Sequence, residues 1–237
     1  FIITLDNFFY LGKYTFNKRK KGDIFMTNNS LVIRNATIVD GTGADPFKGD
    51  VALENGIIKE VGIVENNYND EIDAKGLILA PGFIDIHTHF DPQLCWDGYA
   101  TPSIEHGVTT VVTGNCSLSL APIRNGGEEK IISMFQVIED IKKPTFDAAV
   151  PFSWETFGEY LDHIKPNLGI NVGALIGHSA VRLYVMGEDS QKRKATDEEI
   201  KQMCEIVEQS MEQGALGVSS SYVCLLYTSP SPRDHQP

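Results

Sequence analysis

The pattern of apolar and polar residues changes near residue 80. Before this point, short β-type apolar runs predominate, and Val51–Glu54 is joined to Ile57–Val61 by Asn55-Gly56, a dipeptide that suits a two-residue hairpin turn. After it, apolar strands alternate with helical patterns. The sequence therefore predicts a small β-domain over residues 26–80 and an α/β region over residues 81–223.

Four strands are predicted in the α/β region. The first, Phe83–His87, is predicted to be buried, and it is followed by a short helix that opens at Thr101-Pro102 and ends at Gly107. The other predicted strands are Val108–Val112, Ile170–Ile176 and Leu216–Val218. Two further helices are predicted over Glu128–Ile141 and Ser153–Ile164. A last helix begins at the Thr196–Glu199 capping box and ends at Gly214, and its apolar face comprises Ile200, Met203, Val207 and Met211. Strands that alternate with helices are typical of parallel βα units.

The two ends of the chain differ from the rest. Residues 1–25 hold seven aromatic and five basic side chains, and we interpret them as a translated leader ahead of a bacterial start at Met26. From Cys224, the Ser/Pro-rich segment resembles one translated frame of a sequencing-library adapter, the alternative being a flexible tail. We therefore exclude residues 1–25 and 224–237 from the predicted fold.

Composition excludes several classes of protein. The chain is 42% hydrophobic with four cysteines, which rules out a disordered tail and a disulfide-rich secreted module. No apolar run approaches the roughly 20 residues of a membrane span. The net charge of -12 argues against nucleic acid as a partner. Without Cys224, three cysteines remain, which suits a reducing, cytoplasmic compartment.

Candidate metal ligands lie where strands end. Asp85, His87 and His89 are spaced by two, so on a strand they share a face and the two imidazoles can meet one metal ion. Asp85 is expected to orient an imidazole. Cys116 ends the second strand after Gly114-Asn115, where its thiolate can bind zinc.

Five other side chains have other or open interpretations. Cys95 could supply the thiolate instead, and Asp91 lies past the strand, where it is a possible ligand or a solvated carboxylate. His178 either contacts substrate or caps the following helix. Cys204 is interpreted as packing, and His106 as a cation that stabilises a helix end.

The same residues carry a resemblance. The chain resembles the amidohydrolase superfamily, and within it the N-acyl-D-amino-acid deacylase (D-aminoacylase) family, over essentially all of residues 26–223. His-x-His marks the superfamily and Gly-Asn-Cys marks the branch. The matching segments are Pro81–His89, Gly107–Cys116, Trp154–Phe157, Gly177–Ser179 and Gly214–Ser219.

The resemblance implies a fold and a metal. The expected fold is the first half of a (β/α)8 TIM-type barrel, strands 1–4, preceded by a β-sandwich segment. Cys116 would bind the tighter zinc ion with two histidines from later strands, and His87 and His89 would form a second metal position. The general-base aspartate is expected downstream, so no catalytic residue is assigned in this chain.

The resemblance also implies a reaction. The parent protein would use zinc to hydrolyse the amide bond of a small-molecule substrate, an N-acyl-D-amino acid, and Arg182 is available to bind its carboxylate. One alternative is a cyclic-amide hydrolase of the hydantoinase or dihydroorotase type, but that branch uses a lysine at the end of the fourth strand, and Leu216–Ser221 has none. The other alternative is a non-catalytic scaffold, against which the retained ligands argue. The chain as written is expected to aggregate and to be inactive, because a half-barrel leaves an edge open.

Overall fold

The computed structural model describes residues 2–5 and 30–221. The interpretation of residues 224–237 as an adapter-derived tail lies outside the described residues, as does most of the interpreted leader, so both interpretations stay predictions. The chain forms two compact units. One comprises the residues up to 84 with 101–110 and 169–171, and the other comprises 85–100, 111–168 and the residues from 172 onward.

The N-terminal part forms a six-stranded sheet. Its strands are β1 (Ile2–Leu5), β2 (Ser30–Ile38), β3 (Phe47–Glu54), β4 (Ile57–Gly62), β5 (Asp70–Asp73) and β6 (Ile78–Pro81), in the order β1-β6-β2-β3-β4 with β5 also paired to β2. Strands β2, β3 and β4 are antiparallel, whereas β5 and β6 run parallel to β2. The buried core on this sheet comprises Ile33, Ala36, Ile38, Val51, Leu53, Ala74 and Leu79.

The predicted hairpin turn is confirmed. Asn55 and Gly56 join β3 to β4 with φ angles of 52° and 76°. Positive φ at both central residues is what a tight hairpin turn of this kind requires, and Asn-Gly tolerates it best. The conformational preference of Asn55-Gly56 therefore accounts for the hairpin turn between β3 and β4.

The second sheet has four parallel strands, β7 (Phe83–Asp85), β8 (Val108–Thr113), β9 (Asn171–Gly177) and β10 (Gly217–Ser219), in the order β10-β9-β8-β7. In the described part of the chain, five α-helices accompany these strands: α1 (Glu128–Glu139), α2 (Lys143–Ala149), α3 (Phe157–Ile164), α4 (His178–Met186) and α5 (Asp197–Glu212). The predicted alternation of strands and helices is confirmed. Among the described residues, no helix is long and apolar enough to cross a bilayer.

Several helix boundaries differ from the predictions for local reasons. Helix α1 ends at Glu139 because Asp140 adopts a left-handed conformation, and α2 is an additional helix. Helix α3 begins only at Phe157, because the Thr156 hydroxyl and the Glu159 carboxylate form a capping box there. The short helix that Gly107 ends is a single 3-10 turn.

The first predicted strand of the α/β region is shorter and more exposed than expected. It ends at Asp85, and Phe83, Ile84 and Ile86 are 53%, 62% and 72% exposed, so the prediction of a buried strand over Phe83–His87 was wrong. The reason is that β7 is the edge strand of its sheet. At the opposite edge, the side chain of Val218 on β10 is also exposed.

The predicted apolar face of the last helix is mostly in contact with solvent. Of its four apolar residues only Met203 is buried, whereas Ile200 and Met211 are exposed. Cys204 is exposed as well, so its interpretation as a packing residue was wrong. The sequence pattern correctly identified the helix but overestimated how much of it is covered.

The capping box at the start of α5 yields a stability prediction. The Thr196 hydroxyl accepts a hydrogen bond from the Glu199 amide, and the Glu199 carboxylate accepts one from the Thr196 amide. We expect Thr196→Ala to lower the free energy of unfolding by about 1 kcal/mol, because an amide of the first turn loses its acceptor. Urea denaturation followed by circular dichroism measures this. Thr196→Ser keeps the hydroxyl and is the matched control; equal losses in both variants would contradict the capping role.

Candidate metal centre

Three of the predicted ligands come together in the second compact unit. The ligand atoms of His87, His89 and Cys116 all lie within 4.8 Å of one another. The Nε2 atom of His87 is 3.2 Å from the Sγ atom of Cys116, and the two imidazole rings are 5.5 Å apart. Two nitrogen donors and one sulfur donor are a set that zinc favours.

The two histidines are oriented by the chain that follows β7. The Thr88 amide and hydroxyl both donate to the carbonyl of Val112 on β8, at 3.0 and 2.8 Å. Thr88 lies between the two histidines, so these bonds hold the segment that carries both of them against β8. Asp85 is expected from the sequence to orient an imidazole. In the structure its carboxylate instead accepts a hydrogen bond from the backbone amide of His87 at 3.2 Å.

Cys116 lies on a tight turn at the end of β8. Both Cys116 and Ser117 have left-handed backbone conformations, with φ angles of 52° and 71°. Such angles are uncommon for residues other than glycine, and surrounding contacts must hold them. One of these contacts is the Asn115 side-chain amide, which donates to the carbonyls of Val112 and Thr88 at 2.9 and 3.2 Å.

Gly114 begins this turn at a point where two backbones almost touch. A Cβ atom at Gly114 would lie 1.9 Å from the carbonyl oxygen of Leu175 on β9, and the φ angle of Gly114 is 76°. Its amide donates to the carboxylate of Asp91 at 3.0 Å. The ends of β8 and β9 therefore approach each other only because residue 114 has no side chain.

Asp91 is a buried structural carboxylate. It is 1% exposed, and burial raises its pKa to about 7 in spite of the hydrogen bond from Gly114. Its main-chain carbonyl accepts the Tyr160 hydroxyl at 3.1 Å. The interpretation of Asp91 as a solvated carboxylate was therefore wrong, and Asp91 lies outside the group of three ligands.

The thiol of Cys95 is not part of the metal-binding group. Burial raises its pKa to about 12, and its Sγ atom lies 3.9 Å from the carbonyl oxygen of Asp91. A protonated thiol is a poor ligand, since the thiolate is the form that binds metal. Of the two cysteines weighed from the sequence, the structure brings Cys116 to the histidines.

The environment of His89 suits a metal ligand. Burial lowers its pKa and His87 lowers it further, whereas the Glu139 carboxylate, 3.6 Å from its Nε2 atom, opposes this shift. The neutral imidazole, which is the form that binds metal, is thereby favoured. The Nδ1 atom of His89 is buried and has no hydrogen-bond partner among the described residues. These residues therefore fit a bound zinc ion.

The other candidates have structural positions. The Arg182 guanidinium is buried and donates to the carbonyls of Ser190 and Arg193 at 2.7 and 3.1 Å, so it is not available to bind a substrate carboxylate. His178 is the first residue of α4, and burial, together with Arg182, lowers its pKa. It lies outside the three-ligand group. His106 occupies the end of its 3-10 turn, as predicted.

Sequence reasoning missed two features of this site. Glu139, at the end of α1, is near His89, and nothing in the local sequence indicates this contact. Serine side chains from β10 and α4 contact the turn that carries Cys116, and this contact depends on residues about 60 and 100 positions away. Both features arise only when distant segments pack together.

Comparison with known proteins identifies similar sequences. A profile described as the amidohydrolase family matches residues 70–234. A D-aminoacylase of Alcaligenes xylosoxydans xylosoxydans is 34% identical over 192 residues, which are 80% of this chain and 37% of that protein. An N-acyl-D-aspartate deacylase of the same organism is 36% identical, again over 80% of this chain and 36% of that protein.

Solved structures agree with this similarity. A crystal structure of D-aminoacylase matches with a TM-score of 0.68 and 32% identity, over 82% of this chain and 39% of that chain. An N-acyl-D-glutamate deacylase from Bordetella bronchiseptica, solved with zinc and a phosphonate inhibitor, matches with a TM-score of 0.64 and 29% identity, over 81% and 38%. The chain thus spans little more than a third of each relative. The predicted fold class, part of a (β/α)8 barrel preceded by a β-segment, is confirmed.

The close approach at Gly114 yields a second prediction. We expect Gly114→Ala to destabilise the chain by about 2 kcal/mol or more, because the new methyl group meets the Leu175 carbonyl and the φ angle is unfavourable for alanine. Gly126→Ala is the control, since its φ angle is 85° and nothing lies within 4 Å of a Cβ atom there. Thermal unfolding measures both. Similar losses in the two variants would show that backbone strain alone, without the close approach, explains the effect.

Proposed function

The chain belongs to the amidohydrolase family, and from this premise we propose that the protein of which it forms part hydrolyses the amide bond of N-acyl-D-amino acids with the help of zinc. The observation that carries the proposal is the convergence of His87, His89 and Cys116 at the ends of two neighbouring strands. The similarity to two deacylases of N-acyl-D-amino acids supports the substrate class.

The residues of this chain would hold the metal and supply no general base. A bound zinc ion would lower the pKa of its water toward neutrality and polarise the amide carbonyl. Cys116 would contribute a thiolate, and the two imidazoles would bind in their neutral form, which burial favours at His89. Two further histidines and the aspartate that moves the proton to the leaving amine are expected in the remainder of the parent protein.

We also propose a cytoplasmic location, on the basis of the small number of cysteines.

The two alternatives have less support. A cyclic-amide hydrolase with a metal-bridging lysine needs that lysine at the end of the fourth strand, and β10 consists of Gly217, Val218 and Ser219. A non-catalytic scaffold has no need of the buried Nδ1 atom of His89, which lacks a hydrogen-bond partner among the described residues, in a group with the Cys116 thiol. The amidase proposal accounts for both observations.

The direct test is to recover the uninterrupted reading frame past the codon for Val223 and to assay its product. We expect hydrolysis of N-acetyl-D-amino acids, with apolar and acidic side chains tested separately, and little hydrolysis of the L enantiomers. Turnover of hydantoin or dihydroorotate instead, or no amide hydrolysis by a zinc-loaded protein, would contradict the proposal.

Removal of the thiolate is the sharper test of the metal site. In the same protein, Cys116→Ala is expected to weaken zinc binding by more than about 100-fold. Loss of a hydrogen-bond partner of a metal ligand typically weakens binding by about 10- to 100-fold, and loss of the ligand itself costs more. Metal analysis after dialysis measures this. Cys204→Ala, at an exposed cysteine, is the matched control and is expected to retain zinc. Equal zinc contents in the two variants would exclude Cys116 as a ligand.

The 237-residue chain itself is expected to be inactive and to self-associate. Its described residues form four barrel strands against eight in a complete barrel, and the edge strands carry exposed apolar side chains such as Ile84 and Val218. Size-exclusion chromatography with light scattering is expected to show oligomers, and Val218→Lys is expected to reduce them. A monomer that hydrolyses an N-acyl-D-amino acid would contradict this prediction.

A further inference from the structure

Buried serine side chains surround the turn that carries Cys116. Ser117, Ser179 and Ser219 are all buried, although they come from the end of β8, the start of α4 and the end of β10. Buried hydroxyl groups are unfavourable unless they are hydrogen-bonded, and each of these three makes such bonds. Their partners all lie on or beside the same four-residue turn, Gly114 to Ser117.

Ser219 closes this turn with a single hydroxyl group. Its Oγ atom accepts the amide of Ser117 at 3.1 Å and donates to the carbonyl of Gly114. Gly114 and Ser117 lie on either side of Asn115 and Cys116, so one side chain bridges the two peptide groups that flank the Asn115-Cys116 dipeptide. A hydroxyl can do this because it is both donor and acceptor.

Ser179 holds the same turn from a second direction. Its amide and its hydroxyl both donate to the Oγ atom of Ser117, at 2.8 and 2.9 Å, and the amide also lies 3.2 Å from the Ser117 carbonyl oxygen. Gly177 permits this approach, since a Cβ atom there would lie 2.4 Å from that same carbonyl oxygen. Ser117 is therefore fixed by both α4 and β10.

These bonds matter because the turn is conformationally unfavourable. Cys116 and Ser117 both have positive φ angles, which a free chain with these side chains would rarely adopt. With the turn held, the Sγ atom of Cys116 lies 3.2 Å from His87 Nε2. Rotation of the flanking peptides would carry the sulfur away from the histidines.

We infer that Ser219 is a positioning residue for the metal site: its hydroxyl fixes the left-handed turn that directs the Cys116 thiolate toward His87 and His89. The inference rests on the proposed function, because it assigns Ser219 a part in building that metal site. It makes the fourth strand of the sheet responsible for the geometry of a ligand on the second.

Cobalt binding tests this inference without any substrate. A Co²⁺ ion bound by a cysteine thiolate has a sulfur-to-metal charge-transfer absorption, so its intensity reports whether Cys116 reaches the metal. The product of the uninterrupted reading frame is titrated with Co²⁺ at micromolar concentration, and Cys116→Ser in the same protein identifies the part of the band that belongs to Cys116. We expect Ser219→Ala to weaken Co²⁺ binding about 10- to 100-fold and to reduce the band at saturation.

Two further variants separate positioning from general stability. Ser210→Ala removes the hydroxyl of another buried serine, whose bond to the Ile206 carbonyl at 2.7 Å lies within α5, and it is expected to leave the band and the affinity unchanged. Ser219→Thr keeps a hydroxyl and is expected to restore most of the band. If Ser219→Ala loses its helical circular dichroism, Ser179→Ala takes its place, with the same direction of change expected.

The outcomes distinguish the inference from the function on which it rests. If Ser219→Ala has the band and the Co²⁺ affinity of the unsubstituted protein, the positioning role is overturned and the proposed function stands. The same holds for Ser179→Ala where Ser219→Ala does not fold. Equal effects of Ser219→Ala and Ser210→Ala would also overturn it. An unsubstituted protein that shows no band from Cys116 would overturn both the positioning role and the proposed function. A weakened band together with an inactive parent protein would support the positioning role and contradict the function.

Discussion

The site depends on the close approach of β8 and β9 at Gly114. A side chain at this position would collide with the Leu175 carbonyl, and only its absence lets the two strand ends lie side by side. The turn that follows, through Cys116, is left-handed at two residues that are not glycine. Because such a turn is unfavourable by itself, it needs the hydroxyl of Ser219 and the surrounding amides. The thiol that faces His87 is thus placed by backbone packing first and by hydrogen bonds second.

Buried polar groups concentrate around this turn. Asp91 is buried beneath it, accepts the Gly114 amide, and is linked through its own carbonyl to the Tyr160 hydroxyl. Burying a carboxylate is unfavourable, and the raised pKa of Asp91 is the consequence. These contacts connect the turn to Tyr160 on α3. Arg182 is a second buried charged residue, and its guanidinium donates to main-chain carbonyls. Asp91 and Arg182 are therefore both engaged in contacts within the fold.

The similarity to deacylases and the geometry of the site agree about which part of the chemistry this chain carries. The chain spans little more than a third of the relatives it matches. It contains the candidate metal-binding group just after the first two barrel strands that the structure describes and, in the proposal, leaves the general base to later ones. The exposed side chains at β7 and β10 lie at the two edges of the four-stranded sheet, where further strands of a complete barrel would pair.

The sequence by itself determined the elements whose signals are local. The Asn55-Gly56 turn, the capping box at Thr196 and the spacing of His87 and His89 each depend on residues within four positions, so they could be predicted without the fold. The tertiary structure alone decided that Cys116 and not Cys95 joins the histidines, that Asp91 is buried, and that Cys204 and β7 are exposed. Burial, pKa and the geometry of a ligand depend on atoms brought from distant segments. The bond between Ser219 and Gly114, which are 105 residues apart, is of this kind, and no local pattern in the sequence records it.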